Sequence, residues 1–490
     1  MPEVDSWDCD NHSYERVLVA LQKYWGYDQF RSPQGEVIQS LISGRDALIV
    51  MPTGGGKSVC FQLPALLQSG LTLVVSPLVA LMENQVQELR EKSLPAATLH
   101  SELPTQQKQQ IYQALTQQKL RLLYLSPETL FSPKVWEILS QPQIVINGLI
   151  LDEAHCLVQW GDTFRPAYRR LGAVRSALLA HKLDQKPLAI AAFTATADPT
   201  TQKQLKQVLG LQQPQEFLLN PYRQNLHLQI QTIWTPRGRK SKMRQFIQAH
   251  NQQSGLVYVR SRKDSEALSR EFQELGYKAG AYHAGLGAEQ RRAIEEQWLT
   301  DKIQFVVCTS AFGMGINKPD VRWVVHYQAP QLLSEYIQEV GRGGRDGKPA
   351  QALTLVSEPT GWLEPSDKQR QEFFAAQTQK QYQKAAKLIQ KLPLSGSIAE
   401  VTRGNPEGAI ALGLLHSIGA LTWQDPFTYQ RQGKINPNSW RQLEQNQQQV
   451  PLAMQKYLTI KTCRWQFLLQ AFGFGKDAQG MRCGHCDNCR

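Results

Sequence analysis

The first 210 or so residues alternate between short, continuously apolar runs and longer amphipathic segments. The apolar runs are DALIV (46–50), LTLVVS (71–76), RLLYLS (121–126), GLILD (148–152) and PLAIAAFTA (187–195). Runs without polar alternation are typical of strands in a parallel sheet that is covered on both faces. Residues 78–90 and 105–117, which lie between them, have the apolar spacing of helices. This alternation predicts a doubly wound α/β domain.

The same pattern then occurs a second time. Its apolar runs are GLVYV (255–259), AGAYHA (279–284), IQFVVCT (303–309), VRWVVHY (321–327) and ALTLVS (352–357). Pro, Gln and Asn cluster at 212–221, which is where we place the boundary. The first 355 or so residues are therefore predicted to form two α/β domains in tandem.

The pattern changes after residue 358. Residues 359–371 are predicted to be a polar linker, 381–392 a helix, and 408–431 a helix, a glycine turn and a hairpin. This order resembles a winged-helix unit, and a helical spacer with a hairpin is the alternative. The Gln-rich stretch 442–449 is predicted to be a solvated connection, and 451–472 a last helix. The predicted domains are residues 1–215, 216–357, 358–450 and 451–490.

Composition narrows the class of protein. Of 490 residues, 41% are hydrophobic and 20% charged, so a large core is possible. The net charge is 54 − 42 = +12, which favours a polyanionic partner. No apolar run approaches the ~18 residues of a membrane span. The start, MPEVDSWDCDNHS, does not resemble a secretory signal, and 8 Cys are too few for a disulfide scaffold. We expect a soluble, intracellular protein.

A glycine-rich loop follows the first predicted strand. In MPTGGGKS, Thr53 precedes three glycines, Gly54, Gly55 and Gly56, whose backbone N–H groups can surround phosphate oxygens. Lys57 can reach the β- and γ-phosphates, and Ser58 can hold Mg²⁺. A simple glycine-rich turn is the alternative.

Two further groups suit a nucleoside triphosphate. Asp152 and Glu153 end the run GLIL, where Asp152 can bind the Mg²⁺ shell and Glu153 can activate a water molecule. The alternative for this pair is a solvated helix start. In the second predicted domain, Gln338, Arg342 and Arg345 share one short helical stretch. Two arginines on one face suit bidentate phosphate contacts across a domain cleft, and a solvated pair is the alternative.

The order of motifs resembles the RecQ family of superfamily 2 helicases. The motifs are FRSPQ (30–34), TGGGKS (53–58), VVSPLVALMENQV (74–86), YLSPE (124–128), DEAH (152–155), FTATA (193–197), VYVRSR (257–262), AFGMGINKPDVRWVVH (311–326) and QEVGRGGRDG (338–347). The resemblance implies two RecA-like domains and a 3′→5′ ATP-dependent DNA helicase that acts in recombination and repair. It also implies single-stranded and forked DNA as partners, ATP and Mg²⁺ as cofactors, no membrane association and a monomer. The expected location is the cytoplasm, in contact with the nucleoid, or the nucleus.

The resemblance also implies roles for individual residues. Gln34 matches the glutamine that reads adenine, with Tyr27 and Arg31 beside the base. Thr194 and Thr196 lie in the segment that links the ATP site to the DNA-binding face. The residues in motifs that touch the nucleic-acid backbone are Ser76, Arg260, Ser261 and Thr309.

An aromatic-rich loop follows DEAH. Trp160, Phe164 and Arg165 resemble the family's loop, in which rings stack on bases, and simple packing of the loop is the alternative. The sequence departs from the family at 162–163, which is Asp-Thr in place of His-Asp, and at Ala167, where the family has an acidic residue.

Four cysteines crowd the last 28 residues of the sequence. Cys483, Cys486 and Cys489 are three residues apart, with Cys463 upstream on the predicted last helix. Four thiolates suit a tetrahedral Zn²⁺, and the RecQ family has a matching structural zinc site. The alternatives are a redox thiol group and a site in which His485 replaces one cysteine. About a hundred residues separate this tail from the helicase core.

Two readings of the whole protein compete with a DNA helicase. One is an RNA helicase or a duplex translocase that does not separate strands, and the other is a binding module with a dead ATPase. A basic run adds an open question, because it is either a solvated turn or a phosphate-binding patch. Its members are Arg237, Arg239, Lys240, Lys242 and Arg244.

Overall fold

The computed structural model describes residues 12–159, 165–182, 187–313, 316–403, 405, 407–433 and 436–490. The chain divides into two compact units, which are described separately below. Unit 1 contains Met1–Met51, Gly55–Leu219 and Gln381–Leu443, and unit 2 contains Pro52–Gly54, Asn220–Lys380 and Glu444–Arg490.

The core of unit 1 is a seven-stranded parallel sheet. Its strands are β1 (Ala47–Val50), β2 (Leu71–Val75), β3 (Ala96–Leu99), β4 (Leu122–Leu125), β5 (Ile146–Leu151), β6 (Ala189–Thr194) and β7 (Gln215–Leu218), in the order β3-β4-β2-β5-β6-β1-β7. The five predicted strands are all present. The two that were not predicted, β3 and β7, are the edge strands.

Helices cover both faces of this sheet, as the continuous apolar runs require. They are α1 (His12–Trp25), α2 (Gln34–Ile42), α3 (Lys57–Leu67), α4 (Val79–Glu91), α5 (Thr105–Thr116), α6 (Pro127–Leu130), α7 (Pro133–Leu139), α8 (Cys156–Gln159), a 3₁₀ helix (Pro166–Ala173), α9 (Val174–Leu179) and α10 (Pro199–Leu209). Two apolar clusters, one on each face, contain alternate residues of the strands, such as Leu48 in one and Ile49 in the other.

Residues 381–443 form a small domain that belongs to unit 1. Its elements are the end of α15 (Ser366–Ile389), β14 (Ser395–Ser397), α16 (Ile398–Thr402), α17 (Glu407–Ser417), β15 (Leu421–Trp423), β16 (Thr428–Arg431) and the start of α18 (Pro437–Thr459). The antiparallel sheet has the order β14-β16-β15. This order, a helix, a strand, two helices and a two-stranded wing, is the winged-helix arrangement that the sequence suggested.

The wing and α17 pack on the rest of unit 1. Phe427, in the wing, contacts Phe131 and Trp136 edge to face, with ring centroids 6.1 and 5.2 Å apart. Arg170 of the 3₁₀ helix donates from Nη1 to Pro426 O at 3.0 Å. Helix α17 is buried over most of its length and lies against the same 3₁₀ helix. In many DNA-binding helix-turn-helix proteins the corresponding helix enters the major groove, and here it is used for packing.

The core of unit 2 is a six-stranded parallel sheet. Its strands are β8 (Leu226–Ile233), β9 (Gly255–Tyr258), β10 (Ala279–Tyr282), β11 (Phe305–Cys308), β12 (Trp323–His326) and β13 (Ala350–Ser357), in the order β10-β11-β9-β12-β13-β8. Its helices are α11 (Pro236–Ala249), α12 (Arg262–Glu274), α13 (Ala288–Leu299) and α14 (Leu333–Val340). Again the unpredicted strand, β8, lies at an edge.

The chain returns to unit 2 in its last part, through the rest of α18, α19 (Arg464–Ala471) and α20 (Gly475–Ala478). The prediction of one helix over 451–472 is wrong, because the chain breaks at 460–463 and Cys463 is the N-cap of α19. The predicted connection at 442–449 is helical, since it lies within α18, which passes from unit 1 to unit 2. The polar linker predicted at 359–371 is replaced in part by α15, which begins at Ser366.

Among the helices in the described part of the chain, none is long and apolar enough to cross a membrane.

Candidate nucleotide-binding and zinc-binding sites

The glycine-rich loop leaves the carboxyl end of β1 and leads into α3. Gly56 is the N-cap of α3, with φ +77°, a conformation that glycine adopts without strain. A Cβ at Gly56 would lie 2.3 Å from Gln34 Nε2, so a side chain there would displace Gln34. Lys57, the first residue of α3, donates to Met51 O at 3.3 Å and thereby lies across the loop.

Gln34 connects the predicted adenine-reading segment to this loop. Its buried side chain donates from Nε2 to Gly55 O at 3.0 Å and accepts from Arg31 N at Oε1, also at 3.0 Å. Tyr27 is 56% exposed, and its ring is available to a ligand. The structure therefore brings Gln34 next to the glycine-rich loop and Arg31 next to Gln34, and a role for them in reading adenine stays a prediction.

The acidic pair ends β5, two strands away from the glycine-rich loop, with β6 between them. At about 4.8 Å per strand, the ends of β1 and β5 lie ~10 Å apart, so side chains from both ends can reach a ligand between them. Glu153 has φ +50°, a rarely populated conformation for a residue with a side chain. Burial and the adjacent charge of Glu153 raise the pKa of Asp152 to about 7, while the charge of Lys57 opposes the shift. A cation beside Asp152 would relieve this repulsion.

Buried hydrogen bonds join His155, in the turn after this acidic pair, to the end of β6. Thr194 Oγ1 donates to Thr196 O at 3.1 Å and accepts from Thr196 N at 3.2 Å. Since the hydroxyl proton of Thr194 is used in this way, His155 must be the donor, from Nδ1, in its 3.1 Å bond to Thr194 Oγ1. The same Nδ1 lies 3.4 Å from Glu153 Oε2, and burial lowers the pKa of His155. His155 had no predicted role, although it is the last residue of the DEAH motif.

In unit 2, the two candidate phosphate-binding arginines follow α14. Arg342 donates from Nη1 to Gly313 O, and Arg345 donates from Nη1 to Ile316 O at 2.9 Å. Both guanidinium groups thus contact the carbonyl groups of the segment that follows β11. Their binding to a triphosphate stays a prediction, as does that of Gln338.

Arg260 is placed in the interior of unit 2. Its Nη1 and Nη2 donate to the two carboxylate oxygens of Glu339, at 2.9 and 2.6 Å. His326 Nε2 lies 3.0 Å from the same carboxylate, and His326 Nδ1 lies 3.0 Å from Thr354 Oγ1. The ion pair with Glu339 holds the guanidinium, whose side chain is 11% exposed, against α14, and the predicted contact of Arg260 with DNA stays a prediction. Glu339 and His326 were not recognised in the sequence, where only the spacing of α14 could have suggested a buried residue.

The other predicted DNA contacts differ in accessibility. Ser261 is the N-cap of α12, where its Oγ accepts from Asp264 N at 3.0 Å, and Thr309 follows β11. Both are half-buried, at the carboxyl edge of the sheet. Ser76 is only 1% exposed, so its side chain is not presented to a ligand as placed.

The basic run lies within α11, not in a turn, and it is not a uniform patch. Arg239 is 1% exposed and donates to Tyr327 O, Ser357 Oγ and Asp367 Oδ2 at 2.6–3.0 Å. It cannot serve as a phosphate contact, and it joins α11 to the start of α15. The other four members of the run are exposed.

Two residues of the predicted aromatic-rich loop, Trp160 and Phe164, lie outside the described residues. Arg165, the third, is described and precedes the 3₁₀ helix on which the winged-helix domain packs.

The four C-terminal cysteines converge on one point. The Sγ atoms of Cys463, Cys483, Cys486 and Cys489 all lie within 4.8 Å of one another. Tetrahedral thiolates around a zinc ion, with Zn–S of about 2.3 Å, are ~3.8 Å apart, so the four thiols fit the ion. Backbone N–H groups point at them, from Arg464 to Cys486 Sγ at 3.4 Å and from Cys486 to Cys483 Sγ at 3.3 Å. His485 Nε2 instead lies 3.2 Å from Tyr222 Oη, outside the cluster.

The family comparisons agree with this architecture. The DEAD/DEAH box helicase family matches residues 31–205, the helicase conserved C-terminal domain 238–347, and the RecQ zinc-binding family 427–490. The RecQ ATP-dependent DNA helicase of Synechocystis is 52% identical over 483 residues, which are 98% of this chain and 99% of that protein. This chain belongs to the RecQ family. The resemblance that the motifs indicated is therefore confirmed, and with it the class of enzyme, an ATP-hydrolysing DNA helicase that binds ATP and zinc.

Other RecQ relatives align over the helicase core. The RecQ helicase of Haemophilus influenzae is 38% identical over 350 residues, which are 71% of this chain and 54% of that protein. Among solved structures, the DEAD-box helicase Mss116 bound to single-stranded RNA superimposes with a TM-score of 0.58, at 17% identity, over 72% of this chain and 76% of that one. MrfA bound to DNA gives 0.57 at 21% identity, over 73% and 52%. At these identities the likeness shows the fold alone, two RecA-like domains.

Proposed function

We propose that this RecQ-family enzyme couples the hydrolysis of Mg–ATP to 3′→5′ movement along single-stranded DNA, and that it separates duplexes in recombination and repair. The observation that supports the proposal is the buried bond from His155 Nδ1 to Thr194 Oγ1, at 3.1 Å, with Glu153 Oε2 3.4 Å from the same nitrogen. The candidate hydrolytic carboxylate therefore lies beside a bond between two neighbouring strand ends, through which a change at the nucleotide can be transmitted within the sheet.

The nucleotide chemistry is assigned to groups at the ends of β1 and β5. Lys57 and the backbone N–H groups of the glycine-rich loop bind the phosphates, and Glu153 orients and deprotonates the attacking water. Ser58 and Asp152 offer the hard oxygen ligands that Mg²⁺ prefers, and the bound ion would neutralise charge on the phosphate oxygens. The raised pKa of Asp152 fits such a role, because a nearby cation favours the charged carboxylate.

The second unit supplies the remaining charges. We infer that Arg342 and Arg345 exchange the carbonyl groups of Gly313 and Ile316 for the triphosphate when ATP is bound, with Gln338 beside them. The exchange would pull on the segment after β11, which also carries Thr309. Closure on ATP and release after hydrolysis would then switch the enzyme between states that bind DNA with different strength.

The DNA-binding roles follow the family pattern in part. Ser261 and Thr309 are assigned to backbone contacts, and Trp160, Phe164 and Arg165 to stacking and coupling in the aromatic-rich loop. We assign Arg260 to the support of α14 rather than to DNA. The division into 1–215, 216–357, 358–450 and 451–490, a monomeric state, and a location at the nucleoid or in the nucleus belong to the same proposal.

An RNA helicase or a duplex translocase without unwinding is the alternative, because the RecA-like fold is shared with RNA-bound proteins such as Mss116. The test uses forked duplexes with a single 3′ or a single 5′ tail, and matched RNA forks, with ATP and Mg²⁺. We expect separation of the 3′-tailed DNA fork only. Equal or better separation of RNA, or ATP hydrolysis without strand separation, would overturn the proposal, and Glu153→Gln serves as the hydrolysis-deficient control.

A further inference from the structure

Two tryptophans project from the carboxyl edge of the unit 2 sheet. Trp362 is 88% exposed, Trp234 is 60% exposed, and Leu363 is 52% exposed. Trp234 directly follows β8, and the segment from Glu358 directly follows β13. These two strands are paired, with Ile233 opposite Ser357, and Glu358 N donates to Ile233 O at 2.9 Å. We call Trp234, Trp362 and Leu363 the tryptophan patch.

The loop that presents Trp362 is held by one carboxylate. Glu358, itself 2% exposed, accepts from Trp362 N at 2.5 Å, Leu363 N at 3.0 Å, and Thr360 N and Oγ1 at 2.7 and 2.6 Å. Four donors on one carboxylate fix the backbone of the loop. The indole of Trp362 is therefore presented to solvent by a loop with a fixed backbone. Because a Trp side chain has only two torsions, little conformational entropy is lost when it binds a ligand.

The exposed charged groups beside the tryptophan patch are cationic, whereas the nearby acidic groups are buried. The acidic groups of the segment point inward, since Glu364 and Asp367 pair with the buried Arg239. Arg237, three residues after Trp234, is exposed. Lys368 is also exposed, and its side chain lies beside Gly361, 3.2 Å from the position of a Cβ there. Exposed rings with cations at their rim suit a polyanion whose bases can stack.

The position of the patch agrees with a path for a single strand. Ser261 and Thr309, the assigned backbone contacts, follow β9 and β11 at the same carboxyl edge of the sheet. In the strand order β11-β9-β12-β13-β8, the patch begins two strands beyond β9. At about 4.8 Å per strand this is ~10 Å, a distance that a few nucleotides can span.

We propose that the tryptophan patch is a further single-stranded DNA contact, in which Trp362 stacks on a base while Arg237 and Lys368 contact phosphates. The inference rests on the proposed function, because it extends the DNA path assigned there. It adds a contact on unit 2 that is independent of the aromatic-rich loop of unit 1.

The test measures the affinity of the full chain for a fluorescent oligothymidylate and for the same oligomer as a duplex. We expect Trp362→Ala to raise the Kd for the single strand about tenfold, the loss of one stacked base, and Trp362→Phe to recover most of it. Lys368→Ala should lower the slope of log K against log salt by about 0.7, the contribution of one phosphate contact on a single strand. Leu299→Ala, which removes an apolar side chain that is 45% exposed on the same unit, is the control and should leave the Kd unchanged.

Two results separate failure of the patch from failure of the proposed function. If the parent protein unwinds DNA but the double variant Trp234→Ala/Trp362→Ala binds the single strand within twofold of the parent, the patch inference is wrong. If the parent does not unwind DNA but the variants still lose single-strand affinity, the patch inference holds and the motor proposal fails. Equal losses for single strand and duplex would contradict base stacking and overturn the patch as a single-strand site.

Discussion

The buried pair of Arg260 and Glu339 allows a quantitative test of unit 2. Arg260→Met removes a guanidinium that makes two hydrogen bonds, at 2.9 and 2.6 Å, to a carboxylate whose side chain is 4% exposed. Removal of one partner of a buried ion pair costs about 3–5 kcal/mol, because the other charge stays buried without compensation. His326, 3.0 Å from Glu339, can take up a proton and offset part of this cost. We therefore expect a loss near the lower end, ~3 kcal/mol at neutral pH.

The loss should depend on pH with a defined sign. Burial alone would raise the pKa of Glu339, but the charge of Arg260 and the hydrogen bond to His326 lower it to about 2 from the usual 4.5. A carboxyl group with a lowered pKa in the folded state stabilises the fold above its unfolded-state pKa, and this stabilisation is lost as the pH falls towards 2. The difference between parent and Arg260→Met should therefore be full at pH 7 and shrink below about pH 4.5.

The assay is urea unfolding of the full chain, followed by fluorescence and by protection of β9 and β12 from hydrogen exchange. Arg260→Met/Glu339→Gln should recover part of the loss, since it removes the orphaned charge. Lys240→Met breaks an ion pair with Glu271 whose side chains are 50% and 41% exposed, and should cost no more than about 1 kcal/mol. A cost below ~1 kcal/mol for Arg260→Met, or a double variant no better than the single one, would refute the reasoning.

Three further outcomes are expected. Lys57→Ala should reduce ATP hydrolysis about 100-fold or more, measured by phosphate release, while single-stranded DNA affinity stays within about twofold; a parallel loss of DNA binding would contradict the assigned role. Cys486→Ser should abolish zinc binding, measured by metal analysis, and make residues 444–490 sensitive to proteolysis. Arg482→Ala, at an exposed position nearby, should keep both the zinc and the resistance to proteolysis, and full zinc content in Cys486→Ser would exclude the four-thiol site. Trp160→Ala should lower the stimulation of ATP hydrolysis by DNA more than the rate without DNA, and an unchanged ratio of the two rates would remove the coupling role.

In the two parallel sheets, all nine central strands were predicted from the sequence, whereas three of the four edge strands were not. The central strands have mostly apolar runs, as burial on both faces requires. The predicted edge strand is β10, and the missed ones are β3, β7 and β8, of which β8 alternates apolar and polar residues in LHLQIQTI. An edge strand has a neighbouring strand on one side only, so fewer of its side chains must be apolar. Its apolar run in the sequence is therefore less distinct.

Site residues that are close together in the sequence could be predicted from their motifs. Residues whose role depends on being buried were harder to predict. The four cysteines and the glycine-rich loop were identified because their residues are close in sequence or define a loop. Arg239 was assigned to a possible phosphate contact because it belongs to a basic run, and Arg260 to a DNA contact because it lies in a motif of the family. Their burial depends on acidic partners more than 75 residues away, Asp367 and Glu339, which local spacing does not reveal.

The edge of the second sheet has a consequence for synthesis of the chain. The outer side of β8 is covered by residues of the zinc segment, because Asp487 N donates to Leu228 O at 3.0 Å and Asp487 Oδ2 accepts from Ile230 N at 2.8 Å. Ile230 precedes Asp487 by 257 residues. At a translation rate of about 5–20 residues per second, β8 leaves the ribosome some 13–50 s before its cover. During that interval the nascent chain exposes unpaired strand backbone, and truncated products would expose it permanently, as a template for aggregation.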